Sequence, residues 1–302
     1  MTRYRGRFAP SPTGPLHFGS LVAAVGSFLE ARTRGGTWLV RMEDLDPPRI
    51  VAGAAGDILR TLQACGMEWD GGVAQQSARS GAYHGALHQL REKGLVYPCA
   101  CSRREITDSA VAGVEGPVYP GTCRAGLPPG KSARALRIDT RGATTAFDDV
   151  VQGRIAHDVE HDFGDFVLLR ADDVYAYQLA VVMDDAGQGI TDIVRGADLL
   201  ASTPRQIYLQ QLLGLPQPRY AHLPVAMNTA GEKLSKQTFA APVDAAKPLP
   251  ALVAALSFLG QQPPRDLARA TVRELWDWAM RNWNVTRVPR VVSAPVPEQT
   301  QG

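Results

Sequence analysis

The chain has 302 residues, 45% of them hydrophobic and 21% charged, with a formal net charge of +2. Such a length is comfortable as two domains with a substantial core, and the near-neutral balance gives no global positive field to advertise a nucleic-acid partner, leaving only a local basic face for one. No run approaches the roughly 20 apolar residues that cross a bilayer, and no basic stretch with a long apolar core opens the chain, so a cytosolic protein is expected.

Residues 4–9 read as a strand that gives way to a Pro/Gly-rich loop. Leu21, Val25, Phe28 and Leu29 then recur at helical spacing across 21–34. Gly35-Gly36 ends that helix, 37–42 reads as a buried strand, and helical stretches follow at about 51–65 and 80–93. Strand, helix, strand, helix is the pattern of a parallel α/β sheet. From Cys99 to about Arg134 the chain is irregular, with nine glycines and prolines from Gly113 to Gly130, and reads as an insertion. Strand-like 136–139 and 166–170 follow, and 177–183 and 190–194 resume the α/β character. A helix is expected over Thr203–Leu213, with Thr203 as its cap and Pro204 at the first helical position. Two apolar helical runs, 249–259 and 272–283, precede a tail from Val285 that has no periodicity and is expected to be disordered. Trp276 and Trp283 stand seven apart beside Leu275 and Met280, so with Trp278 they read as a packed helix face in preference to a base-stacking platform.

Two short segments carry most of the chemistry. In the first, His17-Phe18-Gly19-Ser20 opens a helix directly after the strand and loop that begin at Arg7. Glycine lets backbone approach a polyphosphate, a helix start offers unpaired N–H groups, and His17 can donate to developing charge. The second, Lys233-Leu234-Ser235-Lys236-Gln237, supplies two mobile point charges suited to a departing pyrophosphate. Taken singly, the first is as well read as an ordinary strand-to-helix turn and the second as a solvated loop.

In this order and at this separation they resemble HIGH and KMSKS, the two ATP-handling signatures of class I aminoacyl-tRNA synthetases. Arg41-Met42-Glu43-Asp44-Leu45-Asp46, Val194-Arg195-Gly196-Ala197-Asp198 and Thr203-Pro204-Arg205-Gln206 extend the likeness. Residues 3–240 thus resemble glutamyl-tRNA synthetase, with departures at Ser20 and Leu234. The resemblance implies an α/β fold: a class I Rossmann-like parallel sheet, an inserted zinc-containing α+β acceptor-type domain, and a short C-terminal helical region. Its boundaries would be 1–98 and 171–240 for the two catalytic halves, 99–170 for the insertion, 241–285 for the helices and 286–302 for a disordered tail. It also implies ATP with Mg²⁺ at His17, Gly19, Lys233 and Lys236, of which His17 and Lys236 would be catalytic. L-glutamate would meet Arg7, Phe8, Ala9, Pro10, Ser11, Glu43, Tyr177 and Arg195. Glutamate has two carboxylates and an ammonium, so a specific site needs at least one arginine and one carboxylate. On the residues alone, Glu43-Asp44-Leu45-Asp46 is equally a solvated acidic turn or a Mg²⁺ site.

Four cysteines suit a reducing compartment as free thiols, with Cys65 in the core before Gly66. Cys99, Cys101 and Cys123 supply three of the four ligands that zinc prefers, and no histidine lies between them. Tyr119 or a water would complete the set; three unmetallated thiols are the alternative. The C-x-C with a later Y-x-x-x-C resembles the zinc site of the glutamyl-queuosine branch, in which Tyr119 would be the fourth ligand of one structural zinc. Residues 175–185 resemble the same branch, and only two helices and a tail follow Gln237, where full glutamyl enzymes carry a long anticodon-reading region. The resemblance therefore implies a cytoplasmic, monomeric ligase. It would activate glutamate without tRNA and transfer it to the queuosine base at the wobble position of tRNA(Asp). The rivals are a truncated glutamyl-tRNA synthetase charging the 3′ end, a small-molecule adenylyltransferase, and a synthetase-like binding or regulatory protein without catalysis. The presence of His17 and Lys236 argues against the last.

Overall fold

The protein is described by a computed structural model covering residues 3–109, 111–228, 231, 233–234 and 241–296. In chain order the first half contains β1 (Arg5–Phe8), α1 (Phe18–Thr33), β2 (Thr37–Met42), α2 (Ala54–Ala64), β3 (Ala74–Gln75), α3 (Ser80–Glu92), β4 (Val96–Cys99) and α4 (Arg103–Ser109). Then come β5 (Val111–Gly113), β6 (Gly116–Val118), β7 (Ala135–Ile138), β8 (Thr144–Asp149), β9 (Gly153–Asp158), α5 (Val159–Asp162) and β10 (Val167–Leu169). The remainder is α6 (Tyr177–Gly187), β11 (Asp192–Gly196), α7 (Thr203–Leu213), β12 (Arg219–Leu223), β13 (Val225–Met227), α8 (Pro248–Phe258), α9 (Val272–Asn282) and β14 (Ser293–Pro295).

β1 runs parallel to β2 from Arg5 opposite Thr37 to Phe8 opposite Val40, and β2 runs parallel to β3. On its other side β1 is joined to the start of β11, where Thr191 N–H donates to the Arg5 carbonyl at 2.9 Å. β11 pairs in parallel with all of β12, and β12 meets β8 at Tyr220 opposite Asp149. The spatial order is therefore β3-β2-β1-β11-β12-β8-β9, with β8 and β9 as an antiparallel hairpin at one edge.

Both faces of the central strands are covered, which is why β2 and β11 are apolar at successive positions, Trp38–Val40 and Ile193–Val194, whereas the edge hairpin alternates in burial. Val40, Val194 and Ala221 join the core under α1, whereas Leu39, Ile193 and Tyr220 meet Ile207 of α7 on the opposite face. α1 packs on β1, β2 and β11, and α8 and α9 pack behind it. Trp276 is buried in that layer, stacked edge-on against Phe28 at 4.9 Å, and its indole N–H donates to the Cys65 carbonyl at 2.7 Å. Trp278 and Trp283 pack against the same core, as the helix-face reading expected. Cys65 is fully buried there, and burial pushes its thiol up to about 12. Among the described residues no helix is long and apolar enough to cross a membrane.

A second, smaller antiparallel sheet, β10-β7-β4, stands beside the main one with the β5–β6 hairpin. Three expectations need correction. Thr203 is not the cap of α7: Ser202 takes that place, and the Thr203 hydroxyl instead accepts from Arg195 at 2.8 Å. Residues 144–158, inside the stretch read as an insertion, form the hairpin that extends the main sheet through β12. The tail expected to be disordered from 286 is ordered as far as Val296. There β14 runs parallel to β13, and Val288 and Val296 are buried against the core of α1. Residues 297–302 lie outside the described part.

Candidate active site

The carboxyl ends of β1, β2, β11 and β12 open into a cavity of about 440 Å³, where open parallel sheets place their ligands. Arg7, Phe8, Ala9, Pro10, Ser11, Glu43, Tyr177 and Arg195, the residues expected around glutamate, all line it. So do His17, Gly19 and Lys233. Lys236 lies outside the described residues.

One end of the cavity is the start of α1. His17 caps the helix, its Nδ1 accepting the Ser20 N–H at 3.2 Å, which puts the proton of a neutral ring on Nε2, 3.0 Å from the Ser20 hydroxyl. The lysine-bearing segment is anchored on one side to β13, and the chain after it to this loop. Val243 N–H donates to the Leu16 carbonyl and Leu234 N–H to the Ala226 carbonyl, each at 2.8 Å. A methyl group on Gly19 would lie 3.1 Å from the Leu234 carbonyl oxygen and 3.3 Å from the His17 ring, so glycine here permits the two loops to touch. Lys233 Nζ sits 2.5 Å from Asp198 Oδ2. His17 and Gly19 of the first segment and Lys233 and Leu234 of the second are thereby brought to one wall.

The opposite end is a buried charge network. Asp185 receives Arg7 through Nε at 3.0 Å and Nη2 at 3.2 Å, and Arg41 through Nη1 at 2.8 Å. Arg41, with no solvent exposure, also donates to Gln188 at 2.6 Å and Glu43 at 3.3 Å. Burial works to raise the Asp185 carboxyl, but the Arg7 and Arg41 guanidiniums outweigh it and hold it below the usual carboxylate range. For Glu43 burial prevails, raising its carboxyl despite Arg41 and Arg7. Neighbouring Asp184 accepts from Gln76 at 2.8 Å, Arg79 at 2.5 Å and the Tyr83 hydroxyl. Arg41, Asp184 and Asp185 stood within quoted motifs but had no role assigned from sequence; their signal was two acidic residues in the middle of an otherwise apolar segment.

Arg195, at the end of β11, donates through Nη2 to Thr203 and Gln206, both at 2.8 Å, and through Nε to His222 Nε2 at 3.1 Å. Its Nη1 faces the Tyr177 hydroxyl at 3.4 Å. His222 and Asp149 were also missed, because a single histidine on a strand and an aspartate far upstream carry no pattern.

A second cavity, about 620 Å³, shares Ser11, Glu43, Arg49 and Tyr177 with the first. It runs on past Arg170 and Tyr175 to Arg103, Arg134, Arg137 and Cys101. At that end Cys99, Cys101 and Cys123 hold their sulfurs within 4.8 Å of one another. Cys101 and Cys123 sulfurs are 3.7 Å apart, and the Tyr119 hydroxyl lies 3.4 Å from Cys99 and 3.7 Å from Cys101. Tetrahedral zinc with ordinary Zn–S and Zn–O bonds implies edges of about 3.5–3.8 Å, so these contacts have the size of a metal's coordination shell. The cluster can hold a metal ion. The Arg137 guanidinium lies 4.1 Å over the Tyr119 ring. Burial raises the Cys101 thiol, whereas at Cys99 the Tyr119 and Arg137 contacts overcome burial and lower it.

Residues 3–264 match the catalytic-domain model of class I tRNA synthetases for E and Q, and the chain belongs to this family. Its relatives narrow the branch. It is 63% identical to a protein of Dechloromonas aromatica over 95% of this chain and 96% of that one. The figures are 61%, 97% and 93% for Aromatoleum aromaticum, and 58%, 95% and 95% for Chromobacterium violaceum. Each of the three is named glutamyl-Q tRNA(Asp) synthetase. Among solved structures, glutamate-tRNA synthetase from Elizabethkingia anophelis superposes with a TM-score of 0.79 at 23% identity, over 99% of this chain and 69% of that one. This last likeness concerns the fold.

Proposed function

We propose that the protein activates L-glutamate with ATP, without tRNA, and transfers it to the queuosine base at the wobble position of tRNA(Asp). The observation that carries this reading is the meeting of two cavities at Glu43 and Tyr177: one is lined by His17, Gly19, Lys233, Arg7 and Arg195, the other leads from it to an arginine-bearing rim. Its size falls within the ~300–1,000 Å³ of sites that enclose a small ligand, here a nucleoside. Arg49 and Arg170 are paired with Asp46, but Arg103 and Arg134 are exposed at the rim, where backbone phosphates of a single-stranded loop would pass. The names of the relatives agree with this assignment.

In the first step a carboxylate oxygen of glutamate attacks the α-phosphorus of ATP·Mg²⁺, and pyrophosphate departs. Arg7 and Arg195 hold the amino acid's carboxylates and Glu43 its ammonium. His17, from the start of α1, stabilises the phosphoryl charge with Lys233 and Lys236. In the second step a hydroxyl of the queuosine cyclopentene ring attacks the mixed anhydride, its proton is lost, and AMP leaves. No protein nucleophile takes part; positioning and electrostatics supply the rate. Cys99, Cys101, Cys123 and Tyr119 hold one zinc ion whose role is to order the Gly/Pro-rich stretch around them, which forms the inserted acceptor domain. The enzyme acts as a cytoplasmic monomer.

The test is glutamylation by the purified protein with ATP and labelled glutamate. Queuosine-containing tRNA(Asp) should accept label and unmodified tRNA(Asp) should not, with pyrophosphate exchange proceeding in the absence of tRNA. Charging of tRNA(Glu) at its 3′ end, with tRNA(Asp) unlabelled, would overturn the assignment.

A further inference from the structure

Behind the amino-acid end of the site runs a chain of buried polar groups that the reaction itself does not consume. His222 on β12 has no solvent exposure, and Asp149 and Arg195 are 4% and 5% exposed. An arginine Nε–H can only donate, so at 3.1 Å from Arg195 the His222 Nε2 must carry the lone pair. The ring proton then sits on Nδ1 and is donated to Asp149 Oδ2 at 2.6 Å. The other Asp149 oxygen accepts three backbone N–H groups, from Val151 at 3.0 Å, Gln152 at 2.9 Å and His222 itself at 3.1 Å. A carboxylate fixed by backbone at the turn of the β8–β9 hairpin thus sets the tautomer of an imidazole two strands from β1. That imidazole in turn holds Arg195.

We propose that His222, locked by Asp149 as the Nδ1–H tautomer, is a positioning residue that fixes the Arg195 guanidinium for the amino-acid substrate. Nε is committed to His222, and Nη2 to Thr203 and Gln206. Only Nη1 is left beside the Tyr177 hydroxyl, on the cavity side. The hold fails in either of two ways. Without an acceptor at Nε2 the fork is held through Nη2 alone and can pivot about that end; with a proton there, two donors face each other. The inference rests on the reading above that Arg195 meets a glutamate carboxylate.

Two substitutions separate the halves of the relay. His222→Asn keeps an N–H for Asp149 but withdraws the acceptor from Arg195; His222→Gln keeps an acceptor near the Nε2 position and gives up the Nδ1 donor. In tRNA-free pyrophosphate exchange, His222→Asn should raise the KM for glutamate on the order of ten-fold, the loss expected when a hydrogen bond to a charged group is removed. The KM for ATP should stay unchanged, and His222→Gln should recover most of the glutamate KM. Equal effects of the two substitutions, or parallel rises in both KM values, would mean a merely structural histidine and overturn the proposal. Should neither variant fold, ¹⁵N-histidine spectra of the native chain decide it. A non-titrating neutral imidazole with its proton on Nδ1 is expected from pH 5.5 to 8, and a buried ring protonated on Nε2 overturns the inference. Exchange by the native protein that does not depend on glutamate would overturn the functional reading instead, leaving the tautomer measurement to judge the relay.

Discussion

Arg41 and Asp185 show what a site of this kind costs. Two arginines and three carboxylates, Asp184, Asp185 and Glu43, are withdrawn from water within one network, which is tolerable only when every charge is paired and hydrogen-bonded. Asp185 meets this demand with two guanidiniums, so Arg7 reaches the cavity already oriented. His222 solves the opposite problem, since burial beside Arg195 disfavours the imidazolium and lowers its pKa from 6.5 to about 4. The Asp149 carboxyl is depressed in spite of its burial, chiefly by the His222 hydrogen bond, and keeps its charge in that window. As pH falls below about 6.5 the unfolded chain takes up a proton at this histidine while the folded chain does not until about 4. Stability is therefore full above the unfolded value and is lost progressively between the two, by about 3 kcal/mol in all. Urea unfolding of the native protein and His222→Gln from pH 7 to 4.5 should show the native curve falling more steeply. Parallel curves would mean that His222 is charged in the fold.

Among the elements, legibility followed length and burial. α1, β2 and α7 were readable because a helix needs a repeated apolar stripe and a doubly covered strand needs a solid one. β14 has three residues, Ser293, Ala294 and Pro295, and owes its existence to β13. The β8–β9 hairpin alternates in burial, yet its place at the sheet edge depends on Asp149 meeting Tyr220, over seventy positions away by sequence. Site residues divided likewise. His17, Glu43 and Arg195 take their roles from the motifs they sit in, whereas Arg41 and Asp185, though inside quoted stretches, and His222, outside any, acquire theirs only when distant elements close. The cysteine segment is the intermediate case: three thiols and a tyrosine were visible, and their convergence at coordination distance was not. Around them the cluster contains little besides Tyr97, Ile106 and Leu127, too small a core to order the Gly/Pro-rich stretch after β4 by packing alone. One zinc per chain is therefore expected by elemental analysis, and Cys123→Ser should abolish it. Hydrogen exchange in that variant should rise across residues 99–134 and stay low in α1. Metal-free native protein with the same protection would refute the structural role.

At the scale of the whole molecule α1 is the spine. Its N-cap, His17, borders the first cavity, its flank lies on β1 and β11, and its back receives α8 and α9. The C-terminal helices thus support the site without lining it: Trp276 touches Phe28 and Cys65, and none of the three borders the first cavity. Replacing Trp276 by Ala removes a large buried ring and strands the Cys65 carbonyl without its indole donor. A loss of about 3–5 kcal/mol is expected from the ring, with the unpaired carbonyl adding about 1–3 kcal/mol if it stays dry. Because the ring is continuous with the core under α1, the damage should appear as one cooperative transition at lower denaturant. A separate early unfolding of α8 and α9 is not expected. Below that transition the KM values for ATP and glutamate should match those of the native protein. Two transitions, or a shifted KM at full folding, would show that the C-terminal helices are a separate unit or part of the site, and that α1 does not couple them as its packing requires.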